Sequence, residues 1–180
     1  MKKKLSEKIE IPSGITPMFE DSTLKLRQGQ IELVKTLKSP GIKIVAQGNF
    51  VEISCDRGNK KEYKIMKTFV AHIKNMLSGL SSPFVYKLES ANVHFPMTLK
   101  VDGKQLLINN FLGEKLPRKA EILPNVEVDV KGSQITIKSS DREAAGQTAA
   151  NFEKATKLRG RDRRIFQDGI FITNKPGDEE

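Results

Sequence analysis

The chain contains the same pattern twice. Leu24-Lys25-Leu26 is matched by Leu99-Lys100-Val101. At that offset of 75, Ile31 meets Leu106, Leu33 meets Ile108 and Leu37 meets Leu112. Farther on the offset is 84: Ile42-Lys43-Ile44 aligns with Val126-Glu127-Val128, Gly48 with Gly132, Val51 with Ile135 and Ile53 with Ile137. The second copy therefore holds about nine extra residues, and Glu114–Pro124 is where they fit. A duplication constrains the fold strongly, because what one copy builds the other must also build. The 180 residues then make two small domains rather than one large core.

Each copy reads as strands followed by a helix. Alternating apolar residues mark strands at Leu24/Leu26, Ile31/Leu33, Ile42/Ile44 and Val51/Ile53 in the first copy. Gln47-Gly48-Asn49 and Lys131-Gly132-Ser133 read as hairpin turns, since glycine tolerates the positive φ they require. Asn59 with Glu62 forms a capping box before a helix whose apolar face is Tyr63, Met66, Val70, Ile73, Leu77 and Leu80. Lys60, Lys64, Lys67 and Lys74 fall on its solvated side. In the second copy Ser140 and Glu143 give the corresponding cap. Ala144, Ala145, Thr148, Phe152 and Ala155 give a narrower face that should lie close on its sheet. Ser78–Pro83 is rich in turn formers, and strands at Phe84–Leu88 and Ala91–Phe95 open the second domain. The expectation is α+β: residues 1–81 and 82–180 as tandem domains of similar topology, each an antiparallel sheet packed with one helix.

Charge points to a partner. There are 31 basic and 22 acidic residues, a formal net charge of +9. Six basic residues, Lys154, Lys157, Arg159, Arg161, Arg163 and Arg164, stand within positions 154–164, against the single acid Asp162. Gly160 is read as breaking the helix, so the arginines lie on an irregular segment. Asp168-Gly169 then turns the chain into Ile170-Phe171-Ile172, a strand that pins the segment to the sheet. A dense arginine run held on a fold suits phosphate, which guanidinium forks bind in pairs of bonds. Arg142, near the start of the second helix, and Lys175 are outer candidates. With nine Phe, two Tyr and no Trp, no aromatic ladder is interleaved with the charges for stacking a single strand. Recognition of folded RNA by shape and backbone is the reading that remains.

Catalytic and metal chemistry have no footing in the residues. His72 sits beside the first helix's apolar stripe and His94 in an expected strand; neither has a Cys or acidic partner at ligand spacing. There is no phosphate-binding loop, no dinucleotide fingerprint and no nucleophile elbow. The adjacent acids Glu20-Asp21 and Asp178-Glu179-Glu180 read as solvated charge at a turn and at the terminus. Cys55 reads as a half-buried strand residue, and one cysteine makes no disulfide. No apolar run is long enough to span a bilayer, and the lysines of Met1–Lys8 lack the apolar stretch of a signal peptide. The expectation is a cytoplasmic, non-catalytic protein without cofactor or metal.

Arg161-Asp162-Arg163-Arg164-Ile165-Phe166-Gln167-Asp168-Gly169-Ile170-Phe171-Ile172, following an alanine-rich helix and a tandem repeat, resembles the family of large-subunit ribosomal proteins numbered six. The likeness is to its archaeal and eukaryotic branch; the Gly/Lys-rich ending of the bacterial branch is missing. Ile9-Glu10-Ile11-Pro12 and Val126-Glu127-Val128 also resemble that family, and coverage is essentially the whole chain. Phe171 stands where the family usually has tyrosine, which keeps the ring and loses the hydroxyl. The compact length looks more archaeal than eukaryotic. The resemblance implies two domains related by duplication. It also implies binding to large-subunit ribosomal RNA, mainly through the second domain, near the sarcin–ricin loop and the region where translational GTPases engage. Neighbouring ribosomal proteins are implied partners, and the role is structural. On this reading Arg159, Arg161, Arg163 and Arg164 neutralise phosphates, with Arg142, Lys154, Lys157 and Lys175 as outer contacts, and Phe166 and Phe171 pack rather than stack on bases. The competing reading is a basic adaptor that holds an acidic protein or membrane surface through the same patch.

Overall fold

A computed structural model describes residues 3–177. Met1, Lys2 and the acidic group Asp178-Glu179-Glu180 lie outside the described residues. The chain divides into two compact units, Met1–Ser82 and Pro83–Glu180. Both are antiparallel α+β structures with one long helix.

The first unit runs β1 (Lys3–Glu10), β2 (Thr16–Glu20), β3 (Thr23–Gln28), β4 (Ile31–Thr36), β5 (Lys43–Gln47), β6 (Phe50–Gly58) and α1 (Lys60–Ser81). Two three-stranded sheets result, β1-β6-β5 and β2-β3-β4. All four strands expected in this copy are present, and β1 and β2 are additional. Two-residue turns set the registers: Gln47 pairs Phe50 around Gly48-Asn49, with Gly48 at φ 51°. Asp21 and Ser22, between paired Glu20 and Thr23, both take positive φ. Leu24, Leu26, Val51, Ile53 and Ile73 meet in the core without solvent exposure. Cys55 lies on β6 and is more deeply buried than expected. The capping box of α1 is formed as read, with Asn59 Oδ1 accepting from Lys61 N and Glu62 accepting from Asn59 N. The buried face of α1 keeps most of the expected stripe and is wider. Phe69 and Met76 join Met66, Val70, Ile73 and Leu80, while Tyr63 is exposed beside the Lys67 ammonium. Tyrosine can leave its hydroxyl in water, whereas phenylalanine has no such option.

The second unit runs β7 (Phe84–Ala91), β8 (Thr98–Asp102), β9 (Gln105–Asn109), a 3-10 turn at Phe111–Gly113, β10 (Arg118–Glu121), β11 (Glu127–Lys131), β12 (Gln134–Ser139), α2 (Arg142–Ala155) and β13 (Gly169–Asn174). Its sheets are β11-β12-β7-β13 and β10-β9-β8. The β8–β9 and β11–β12 hairpins repeat β3–β4 and β5–β6. The extra residues build β10, which pairs with β9, whereas in the first unit β2 pairs with β3. A hairpin has two open edges, and each copy closes a different one.

Three local expectations are corrected here. Ala91–Phe95 is not a strand: β7 ends at Ala91, and the amides of Val93 and His94 donate to the Asp168 carboxylate instead of a ladder. The α2 cap is Asp141, not Ser140; its carboxylate accepts from Glu143 N at 2.9 Å. A full negative charge at the positive helix end favours aspartate there. The helix stops at Ala155 rather than at Gly160. Thr156 follows, and its buried hydroxyl accepts from Ile170 N at 2.9 Å, which draws the chain off the helix toward β13. The close seat expected of α2 is present: a Cβ added at Gly146 would stand 2.9 Å from the Tyr86 hydroxyl. Among the described residues no helix is long and apolar enough to cross a membrane.

Candidate nucleic-acid interface

Lys154 stands in the last turn of α2, and the rest of the basic run lies on the irregular stretch between α2 and β13, both ends of which are fastened. At its start stands Arg118 of β10. Its Nη1 donates to the carbonyl of Ala155 at 2.8 Å and reaches that of Lys157 at 3.5 Å. A cation belongs at such a place, where the last helical carbonyls lack partners. The rest of the fork grips the Glu114 carboxylate, and the guanidinium lies 4.3 Å from the centre of the Phe111 ring. The hydrogen bonds from Arg118, aided by the field of Arg161, hold the Glu114 carboxyl below its ordinary range against the opposing effect of burial. The charge of Arg118 is thus used inside the protein.

At its end stands Asp168, whose side chain is 2% exposed. It accepts from Val93 N at 2.6 Å, His94 N at 3.2 Å and His94 Nδ1 at 2.8 Å. Burial pushes this carboxyl up, but the bonds from the His94 ring and the two amides outweigh it and hold it below the ordinary value. An ionised carboxylate only accepts, so Nδ1 carries the proton. The His94 ring lies 5.1 Å from Phe166, and Phe166 lies 4.9 Å from the Arg161 guanidinium. A chain of contacts therefore runs from a buried acid to an exposed arginine. His94 is the structural histidine expected, with an acid partner that sequence spacing did not reveal.

Between these anchors Asp162 folds the run back on itself. Its carbonyl accepts from the amides of Ile165 and Phe166, and its carboxylate accepts from Arg164 N, Nε and Nη2. These bonds from Arg164 lower the Asp162 carboxyl. Arg164 is exposed, yet its charge is matched within the turn. Among the described residues Lys154, Lys157, Arg159 and Arg163 make no ion pair.

Two grooves flank the run. The first, about 810 Å³, is polar and is lined by Lys119, Lys154, Lys157, Arg159 and Arg161, with Arg118, Glu114 and Glu121 among its walls. The second, about 890 Å³, is more apolar and is lined by Ala150, Leu158, Phe166 and Phe171, with Lys154, Lys157 and Arg163. Lys154, Lys157 and Leu158 line both. The fold so gathers five of the eight candidates: Lys154, Lys157, Arg159, Arg161 and Arg163. Arg164 is turned into Asp162. Arg142 stands at the other end of α2, about 18 Å of helix from Lys154, with its guanidinium 5.8 Å from the Phe84 ring. Lys175 follows the end of β13. Sequence reasoning missed Arg118 and Lys119, and it took Asp168 as a turn residue rather than as a brace. The first two sit in the extra residues of the second copy, and that insertion was the available signal. Chemically the arrangement is a ridge of cations without ion pairs, running from the last turn of α2 onto a braced loop and fitted to a polyanion with closely spaced charges.

A family profile described as "Ribosomal protein L6" matches residues 95–169, a stretch that takes in the whole basic run and ends on Gly169. The chain is also similar to the "Large ribosomal subunit protein uL6" of Methanococcus vannielii, 40% identical over 173 residues, covering 96% of this chain and 95% of that protein. Identity of that level along the full length of both carries one conclusion: the chain belongs to the ribosomal protein L6 family.

Proposed function

We propose that this protein is a structural, non-catalytic component of the large ribosomal subunit in the cytoplasm. It holds ribosomal RNA through the ridge formed by Lys154, Lys157, Arg159, Arg161 and Arg163, and neighbouring ribosomal proteins surround it. The observation that carries the reading is the set of unpaired cations on a segment fixed at both ends by Arg118 and Asp168. A segment already ordered loses little conformational freedom on binding. The relative's printed name supports the subunit, and the family resemblance supports a position near the sarcin–ricin loop and the translational GTPases. Arg142 and Lys175 serve as outer contacts at most, and Arg164 contributes after giving up Asp162. Competition tests the recognition. Folded large-subunit RNA fragments displace heparin from the protein at equal charge concentration. Heparin binding as well as those fragments would leave only general attraction for anions.

A further inference from the structure

The second groove has a chemistry that backbone binding alone does not use. Its lining includes Ala150 of α2, Leu158, Ile170 and Phe171, with the cations Lys154, Lys157 and Arg163 and two acids, Glu153 and Asp168, the second already held by Val93 and His94. Phe166 is already engaged by Arg161 and His94, so Phe171, expected from the sequence to pack rather than to stack on bases, supplies the half-buried ring that lines the groove and is open to a ligand. Phe171 lies down against the backbone at Gly169, where an added Cβ would stand 3.2 Å from the ring. An apolar wall accepts many groups; a cationic rim selects one that carries anions beside it. A nucleotide does so, with a flat base between two phosphates.

Resting on the RNA reading above, we infer that this groove takes one unstacked nucleobase of the bound RNA. Lys154 and Lys157 line both grooves, so a phosphate seated on them has the polar groove on one side and the apolar groove on the other. A strand following the ridge then turns one base inward against Phe171. Bulged and looped bases in folded RNA are commonly splayed out and stacked on aromatic side chains in this way. The groove's volume of about 890 Å³ accommodates a nucleoside.

The test uses the full chain and large-subunit RNA transcribed with 4-thiouridine. The first variant is Ala150→Phe, which fills the groove from a half-buried helix position and leaves every cation in place. Val93→Trp is the second; Val93 is 67% exposed on the same rim, so folding tolerates the change, and thermal unfolding verifies both. The wild type should crosslink through a base to the peptide 166–171. Both variants should lose that crosslink and bind about tenfold more weakly, with the salt dependence of binding unchanged. Crosslinks confined to 157–161, with variants that bind as the wild type does, would overturn the base site and leave the ridge intact. Loss of salt-dependent binding by the wild type itself would remove the RNA reading and the base site together.

Discussion

Asp162 and Asp168 stand six residues apart and do opposite things. Asp162 is exposed and spends its charge on Arg164, so it subtracts from the ridge. Asp162→Asn keeps an acceptor for the Arg164 amide and releases the guanidinium. RNA affinity should rise, and the salt dependence should steepen by about 0.7 to 0.9 in log–log slope if Arg164 gains a phosphate; titrations at several salt concentrations would show it. Asp168 is buried and holds the loop to Val93 and His94. Asp168→Ala strands three donors and should cost about 3 kcal/mol, measured by denaturant unfolding. Its carboxyl is held below the ordinary value in the folded chain, so the stability it adds is complete above the unfolded pKa, about 3.9. That stability is lost as pH falls through the lower folded value. The wild type should therefore lose stability below about pH 4 more steeply than Asp168→Ala does. Parallel slopes in that range would mean that the carboxylate does not hold the loop.

At the scale of elements, β10 matters beyond its four residues because it carries Arg118 to the end of α2. Arg118→Ala frees the Ala155 carbonyl and unpairs Glu114, and should cost about 2 kcal/mol. The melting temperature should fall by roughly 10 °C for a unit of this size. Arg118→Lys should recover little, since an ammonium cannot hold a carboxylate fork and two carbonyls together. The insertion was legible as an offset change, but β10 was not. Its sequence Arg-Lys-Ala-Glu has one apolar residue, and its strand form comes from pairing with β9. The hairpins were legible because glycine turns and alternation sit side by side in sequence. β1 was hidden by lysine and glutamate at positions that the alternation leaves exposed. The α1 stripe is in phase at Met66, Val70, Ile73 and Leu80, with Leu77 packed against the core; it differs only in taking in Tyr63, which counts as apolar by composition, and in leaving out Phe69 and Met76. Of the site, the five gathered cations were legible as a run. The bracing was not, because Asp168 meets Val93 across 75 positions and Arg118 meets Ala155 across 37. No local pattern records such contacts.

For the molecule as a whole, duplication explains the division of labour. Both units carry hairpins, two sheets and a helix, yet only the second has the strand from the insertion and β13 after its helix. Those two additions hold the ends of the basic run. Most of the first unit's described lysines lie spread over exposed positions, with Lys67 paired to Glu7 and Lys43 to Asp56. The copy that gained two fastened ends also holds the clustered arginines, as expected if rigidity and charge serve one surface. The most direct test is sedimentation of the tagged protein in lysate of its own cells, at low and at high salt. The wild type should travel with the large ribosomal subunit and stay there at moderate salt. A variant with Arg159, Arg161 and Arg163 changed to glutamine should leave the subunit as salt rises. A wild-type protein at the top of the gradient at both salts, or a variant that stays bound as tightly as the wild type, would contradict the account.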